Sequence, residues 1–580
     1  MKDFLKMVLA VIVGMIVISV VSGFLCIAAF SAIAAIGAAS TSTPKSFALN
    51  IDLSTTTVAE QTQESNPLAS VSGQQSDVIG LWDAVQAINT AATDPAVKYI
   101  YIKADGNMTS AATLYELRQA LQRFRESGKA VVAHTDSPST GSYYIASVAD
   151  KIYMTPHLGA TTTVTGIGSQ MIFLKDILDK LGVNVQLIRH GKYKSAGEMF
   201  ICSEPSAENR EQYQVMVNSM WSAMASEIAE SRGFSVESLN EAIDQLKLCT
   251  PQDFLNLGFV DELLTRDQLQ DKLATLAVVD KYKDLKWMSL SDYASVKNVP
   301  SKAKSKIAVI YADGEIVEGA DKKEVAGDHF AQVIQSVRND EDVKAVVLRV
   351  NSPGGAVLAA EKIKRELDLL QKEKTVIASY GDYAASGGYW ISAAADKIFA
   401  DPLTLTGSIG VFGMIPDLSG TLKDVAHVNV VSITSNKHGD MYSLMRPFDQ
   451  AEHEFMQTQI EGVYTKFTNL VAEGRGLTVD AVDEVGQGRV WTGADAIGIH
   501  LVDEIGTLED AIHYAAVSAG DPELANWNIK AYPKPQTQLE QMMEMFGSSS
   551  TTEEEALLKL AKDFTRPQVV ARMPYNIVVR

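Results

Sequence analysis

Cysteine and histidine are scarce in this chain, and each scarcity excludes a class of chemistry. Three cysteines in 580 residues, Cys26, Cys202 and Cys249, build neither a disulfide framework nor a cysteine-rich zinc site. The nine histidines include no HExxH pair, and no two stand within a few residues of each other. A metalloenzyme assembled from local ligand motifs is therefore not expected, nor is any other cofactor. Positive charge is also short. Lys and Arg number 51 against 71 Asp and Glu, a net charge of −20. Such a polyanion binds nucleic-acid phosphate poorly, so nucleic acid is not an expected partner. A hydrophobic content of 46% is ordinary for a folded protein and excludes disorder over most of the chain. The length suits about four units of roughly 150 residues, or two large ones.

Residues 7–39 carry no charge and are almost wholly apolar. About 20 apolar residues suffice to cross a bilayer as a helix, so this run is long enough to span with tilt. A cleaved signal peptide has an apolar region of only ~7–15 residues, which favours an uncleaved anchor. Lys2 and Lys6 precede it. The positive-inside preference then keeps residues 1–6 in the cytoplasm and sends the rest outward. No later run is long and apolar enough to span again. Residues 40–45 (STSTPK) read as a polar linker.

The chain also repeats itself. The run starting at Val97 (VKYIYIK) resembles that starting at Val343 (VKAVVLR), 246 residues on. ADKIYMTP from Ala149 resembles ADKIFADP from Ala395, again 246 residues on. AESRGF from Ala229 matches AEGRGL from Ala472, and VDEL from Val260 matches VDEI from Val502. Four ordered matches at nearly one offset imply two copies of one fold. The polar stretch 298–306 is the expected boundary, giving units 46–297 and 306–580. In the second copy, 306–311 and 343–350 are apolar, β-branched runs suited to buried parallel strands. Residues 356–371 follow as a helix with Val357, Ala360, Ile363, Leu367 and Leu370 on one face. Then come a strand over 375–380 and a small-residue helix from about Ala385. This βαβα order predicts a parallel sheet with right-handed crossovers.

In such a sheet, strand-to-helix turns lie at the carboxyl edge, where ligands bind. Two turns there are glycine-rich, Asn351-Ser352-Pro353-Gly354-Gly355 and Ala384-Ala385-Ser386-Gly387-Gly388-Tyr389. Paired glycines at a helix start leave N–H groups bare for an oxyanion, here Gly354 and Gly355. Ser386 beside such donors has the layout of acyl transfer. Taken singly, a serine before two glycines is ordinarily a helix cap, and Pro-Gly-Gly an ordinary turn. The other copy breaks that tie. It has Thr140-Gly141 opposite Ser386-Gly387, and it lacks paired glycines near Gly106. Features kept for structure alone would persist in both copies.

A serine nucleophile needs a base, and no histidine is locally arranged for one. A lysine made neutral by burial can serve. The candidate is Lys194, after the strand-like run 183–189, with Lys192 as its rival; spacing does not choose between them.

The N-terminal anchor, the tandem halves, Tyr193-Lys194-Ser195-Ala196, Asn351-Ser352-Pro353-Gly354-Gly355, Ala385-Ser386-Gly387-Gly388-Tyr389-Trp390 and Thr406-Gly407-Ser408-Ile409-Gly410-Val411 together resemble the long form of the bacterial signal peptide peptidase A family. The likeness runs from the anchor to about residue 520, and no motif is placed beyond Asp521. It implies an α/β protein of two tandem Clp protease/crotonase-like repeats with parallel sheets behind one transmembrane helix. It also implies a Ser–Lys dyad of Ser386 and Lys194, because the family's lysine follows the tyrosine. Gly354 and Gly355 become the oxyanion donors, and Ser408 the partner that holds the lysine amine. The second half reads Ser435-Asn436-Lys437-His438-Gly439-Asp440 opposite Lys194, so each half keeps a different part of the site. The implied substrates are remnant signal peptides and other apolar peptides, cut at the inner membrane on its periplasmic side by a homo-oligomer, a tetramer in the long form. Two alternatives belong to other classes: a crotonase-fold enzyme acting on acyl-CoA, and a non-catalytic membrane scaffold.

Overall fold

In the computed structural model, residues 43–61, 77–106, 109–159, 161–322, 324–534 and 568–573 are described. The expected anchor, residues 7–39, lies outside them. Among the described residues no helix is long and apolar enough to cross a membrane.

Two parallel sheets carry the chain. The first runs, strand beside strand, Glu262–Leu263, Lys151–Met154, Ala130–Thr135, Val97–Lys103, Phe47–Asp52, Trp287–Ser289. The second contains the series Glu504–Ile505, Lys397–Ala400, Thr375–Ala385, Val343–Ser352, Lys306–Asp313, Asn528–Tyr532. The order is the same in both, so the sequence repeat is a repeat of topology. This mixed α/β architecture with parallel sheets fits a Clp protease/crotonase-like fold. The central strands of the second sheet are buried nearly end to end because helices cover both faces. Helix Val357–Gln371 buries Val357, Ala360, Ile363, Leu367 and Leu370, the face its periodicity predicts.

Strand ends depart from the expectation. The predicted strand 375–380 extends to Ala385, and the next helix starts at Gly387 rather than near Ala385. Gly354 and Gly355 do not head a helix; they form a short strand, Gly354–Ala356. That strand belongs to a third sheet, ordered Val325–Ala326, Ile316–Val317, Gly354–Ala356, Gln568–Arg572, Val411–Asp417, Asn184–His190. Its last strand comes from the first half and lies antiparallel to Val411–Asp417 along its whole length. The halves are thus joined by a shared sheet.

Their cores interlock as well. Ala385, Leu403, Leu405 and Val490 belong to the apolar cluster of the first half, and Ile188 to that of the second. A buried ion network crosses the same junction. Arg349 Nε lies 2.8 Å from Glu60 Oε2, and Nη2 lies 2.7 Å from Glu116 Oε1. Its Nη1 donates to Ser379 Oγ at 2.9 Å.

Candidate active site

Strand Thr375–Ala385 delivers Ser386 to the carboxyl edge of the second sheet, and helix Gly387–Ser392 begins immediately after it. Ser386 has φ 56° and ψ −112°, a conformation that residues with a Cβ rarely adopt. Two backbone bonds hold it there. Its N–H donates to Gly407 O at 2.8 Å, and its carbonyl accepts from Trp390 N–H at 2.8 Å. The residue occupies the N-cap position, where a serine hydroxyl ordinarily accepts from the first-turn N–H groups. Here the hydroxyl caps nothing. It meets Lys194 instead, its O–H directed at Nζ 2.9 Å from Oγ.

Lys194 arrives from the other half. The antiparallel pair of Asn184–His190 with Val411–Asp417 carries the following loop across the junction. Tyr193 N–H then donates to Gln487 O at 3.0 Å. Arg189 Nη1 donates both to Lys194 O at 2.8 Å and to the buried Glu198 at 3.0 Å, which fixes the lysine's backbone. Nζ donates further to Ser408 Oγ at 3.0 Å and Ser408 O at 3.1 Å. Lys194, Ser386 and Ser408 are each 0% exposed. Burial pushes the Lys194 amine well below the ordinary lysine range, toward its neutral form, and no neighbouring charge contributes. Lys192 is exposed, its amine 5.1 Å from the centre of the Tyr193 ring. The geometry therefore brings Lys194, not its rival, to the serine.

The glycine turn faces Ser386 from the neighbouring strand. A Cβ on Gly355 would lie 1.9 Å from Ile316 O, and one on Gly354 would lie 2.6 Å from Gly387 N, so neither position accepts a side chain. The two N–H groups are not equivalent. That of Gly354 donates to Ser352 Oγ at 3.2 Å. Gly387 heads its helix, where an N–H has no intrahelical partner, and a Cβ on it would lie 3.1 Å from Gly355 N. The N–H pair beside Ser386 is thus Gly355 with Gly387, and Gly387 escaped the reading of the sequence. So did Gly488 and Gly410. A Cβ on Gly488 would lie 2.5 Å from Lys194 Cβ, and one on Gly410 would lie 3.1 Å from Lys194 Cδ. They clear the channel for the lysine stem. Nothing in their local sequence marks this, because the chain they make room for is about 200–300 residues away.

One cluster of ligand type occurs among the described residues, His438, Asp449 and Glu452. Arg446 already makes two 2.7 Å hydrogen bonds to Glu452, which supplies the charge a cation would bring. The Ser386 site itself contains a hydroxyl, an amine and amide N–H groups. That set can deprotonate a serine and bind an oxyanion, and it offers no anionic ligand to a metal.

Comparisons with known proteins agree with this chemistry. The profile of peptidase family S49 matches residues 123–280 and 368–520, one stretch in each half. "Protease 4" of Haemophilus influenzae is 36% identical over 457 residues, covering 75% of this chain and 72% of that protein. "Protease 4" of Salmonella typhi is 35% identical, covering 81% and 76%. The chloroplastic "Serine protease SPPA" of Arabidopsis thaliana is 30% identical, covering 83% and 72%. The acyl-CoA and scaffold alternatives find no support here. A hydroxyl held against a buried lysine, and relatives that match along most of both chains, lead to one conclusion: the chain belongs to peptidase family S49, in its tandem-repeat form, and is a serine protease.

Proposed function

We propose that the protein is a membrane-anchored endopeptidase that degrades remnant signal peptides with a Ser386–Lys194 dyad. The observation that carries this reading is the 2.9 Å approach of Lys194 Nζ to Ser386 Oγ in a fully buried setting. Neutral Lys194 takes the Ser386 proton as Oγ attacks the scissile carbonyl. The Gly355 and Gly387 N–H groups bind the developing oxyanion, each such donor being worth roughly 3–4 kcal/mol in a comparable site. Ser408 holds the amine on line. Lysinium then protonates the leaving amine, and water activated by the same amine releases the acyl group.

The two units, 46–297 and 306–580, act together because the base comes from one and the nucleophile from the other. Residues 7–39 anchor them at the bacterial inner membrane with the site on the periplasmic side. There, apolar peptides left by signal cleavage are at hand, and subunits assemble as a homotetramer. The uncharged run at 7–39 and the long-form motifs support this placement.

A fluorophosphonate or peptide-aldehyde probe tests the dyad. It is expected to label the wild type and Lys192→Ala, but neither Ser386→Ala nor Lys194→Ala. Full peptidase activity in Lys194→Ala would overturn the assignment.

A further inference from the structure

One short loop, residues 486–489, grips both the lysine and the serine that holds its amine. It leads from helix Val479–Val485 into strand Val490–Thr492, which lies antiparallel to Leu405–Gly407, just before Ser408. Gln487 O accepts from Tyr193 N–H at 3.0 Å, and Gly488 packs on Lys194. Arg489 O accepts from Ser408 N–H at 2.7 Å. Gln487 has φ 52°, a conformation its surroundings must impose.

The Arg489 side chain supplies that constraint. Its guanidinium carbon lies 4.9 Å from the centre of the Tyr193 ring and 4.3 Å from the Trp491 ring. Tyr193 belongs to the first half and directly precedes Lys194; Trp491 belongs to the second. Trp491 is itself fixed, its Nε1–H donating to Val485 O at 2.9 Å. The Arg489 side chain is 17% exposed and Tyr193 8%, and a cation over an aromatic ring holds best where water is excluded. The acid nearest the guanidinium is Glu211, 3.5 Å from Nη1 and 54% exposed. A half-exposed pair of that kind contributes little. Arg489 also does not act on the amine through its charge, because burial alone lowers the Lys194 pKa.

The duplicated half again serves as a control. Thr250 and Thr492 are equivalent helix caps, each standing ten residues before its VDE motif. Counted from them, Lys247 stands for Arg489 and Cys249 for Trp491. Lys247 reaches only Glu241, with its side chain 40% exposed, and Cys249 is exposed. A stack kept for the fold alone would persist in both copies. It exists only in the copy whose loop meets Lys194.

We propose that Arg489 is a positioning residue for the reaction: held against Tyr193 and Trp491, it presses the 486–489 loop onto Lys194 and Ser408 and so keeps the amine aligned on Ser386. This rests on the dyad reading above, since it takes Lys194 as the base.

The test measures pH–rate profiles for turnover of a fluorogenic peptide, with thermal unfolding alongside, on full-chain variants. Arg489→Leu should lower kcat about 10- to 100-fold with KM within about twofold, since misplacing a catalytic group by about 1 Å costs on the order of 10²-fold. Water reaching the loosened amine should raise its pKa and move the acid limb to higher pH. Tyr193→Leu should do the same, and the double variant should lose little more, because the two side chains form one contact. Tyr193→Phe keeps the ring and should return kcat to within about threefold of wild type, with the limb restored. Glu211→Gln, at the exposed rim, should move neither. If Arg489→Leu does not fold, Tyr193→Leu reads the same contact. Wild-type kcat in Arg489→Leu or Tyr193→Leu would overturn the proposal, as would a loss of kcat that follows lost thermal stability with the acid limb unmoved. Full activity in Lys194→Ala would instead count against the dyad, which keeps the two failures distinct.

Discussion

The turn at Ser139–Ser142 and the turn at Ser386–Gly388 occupy equivalent places in the two sheets, yet only the second leaves its leading hydroxyl free of capping. In the first half, Ser139 has φ −98° and its hydroxyl accepts from Ser142 N–H in a capping box. Thr140, which aligns with Ser386, donates to Gly166 O at 3.0 Å. Every hydroxyl there serves the backbone. In the second half the strand runs on to Ala385, the helix starts one residue later than in the first, and Ser386 is forced to positive φ. Its hydroxyl is released from capping and meets a lysine. Strain of this kind costs of order 1–3 kcal/mol and persists only where the surroundings impose it. The difference teaches that the Ser386 hydroxyl is freed to meet Lys194 by a one-residue shift of the strand-to-helix switch as much as by the residue type.

The sharpest break of this comparison is a pair of matched substitutions. Ser386→Ala is expected to lower kcat at least about 10⁴-fold, as loss of a nucleophile does. Thr140→Ala should leave kcat within about twofold, because its hydroxyl only caps a loop. Steady-state peptidase assays on the two variants check both.

The halves also differ at Lys103 and Arg349, which align. Lys103 meets Asp52 at 3.2 Å with its side chain 40% exposed, whereas Arg349 is 1% exposed between Glu60 and Glu116. Arg349→Met strands two buried carboxylates and should cost about 3–5 kcal/mol. Lys103→Met should cost at most about 1 kcal/mol. Denaturant unfolding of both variants measures the contrast.

Next in size is Gly488→Ala, whose Cβ would press on Lys194. Displacing a catalytic group by about 1 Å can cost on the order of 10²-fold in rate. The variant should lose about that factor in kcat while Gly462→Ala, which meets nothing within 4 Å, should lose none.

The smallest effects concern the base. The reactive form is the neutral amine, so activity should fall as pH drops through the lowered pKa of Lys194, by about tenfold per pH unit on the acid limb. Ser408→Ala removes one of the amine's acceptors, a bond worth about 0.5–1.5 kcal/mol. It should reduce kcat by about three- to tenfold and move the acid limb. A pH–rate profile of wild type and Ser408→Ala reads both, and an unmoved limb would count against Ser408 as the positioning residue.

Much of this was legible in the residues. Apolar β-branched runs such as 343–350 announced buried parallel strands, and four matches at one offset announced the duplication. The asymmetry between Ser386-Gly387 and Thr140-Gly141 pointed to the copy whose serine lies against Lys194. The errors fell where a strand end depends on its neighbours. Gly354 and Gly355 read as a helix start because a Pro-Gly-Gly turn looks alike in both settings. They became a strand because Ile316 and residues 570–572 offered them partners. The packing roles of Gly387, Gly410 and Gly488 could not be read from their motifs, since what they accommodate is distant in sequence.

The sequence by itself determined the α/β class, the two-copy plan and the side-chain chemistry on offer, because periodicity, repetition and residue type are local properties. Only the tertiary structure decided which lysine meets the serine and which N–H groups lie beside it. Those outcomes need the antiparallel join of Asn184–His190 to Val411–Asp417, which carries Lys194 out of water and into the other half. Desolvation is a property of packing, and no residue possesses it alone.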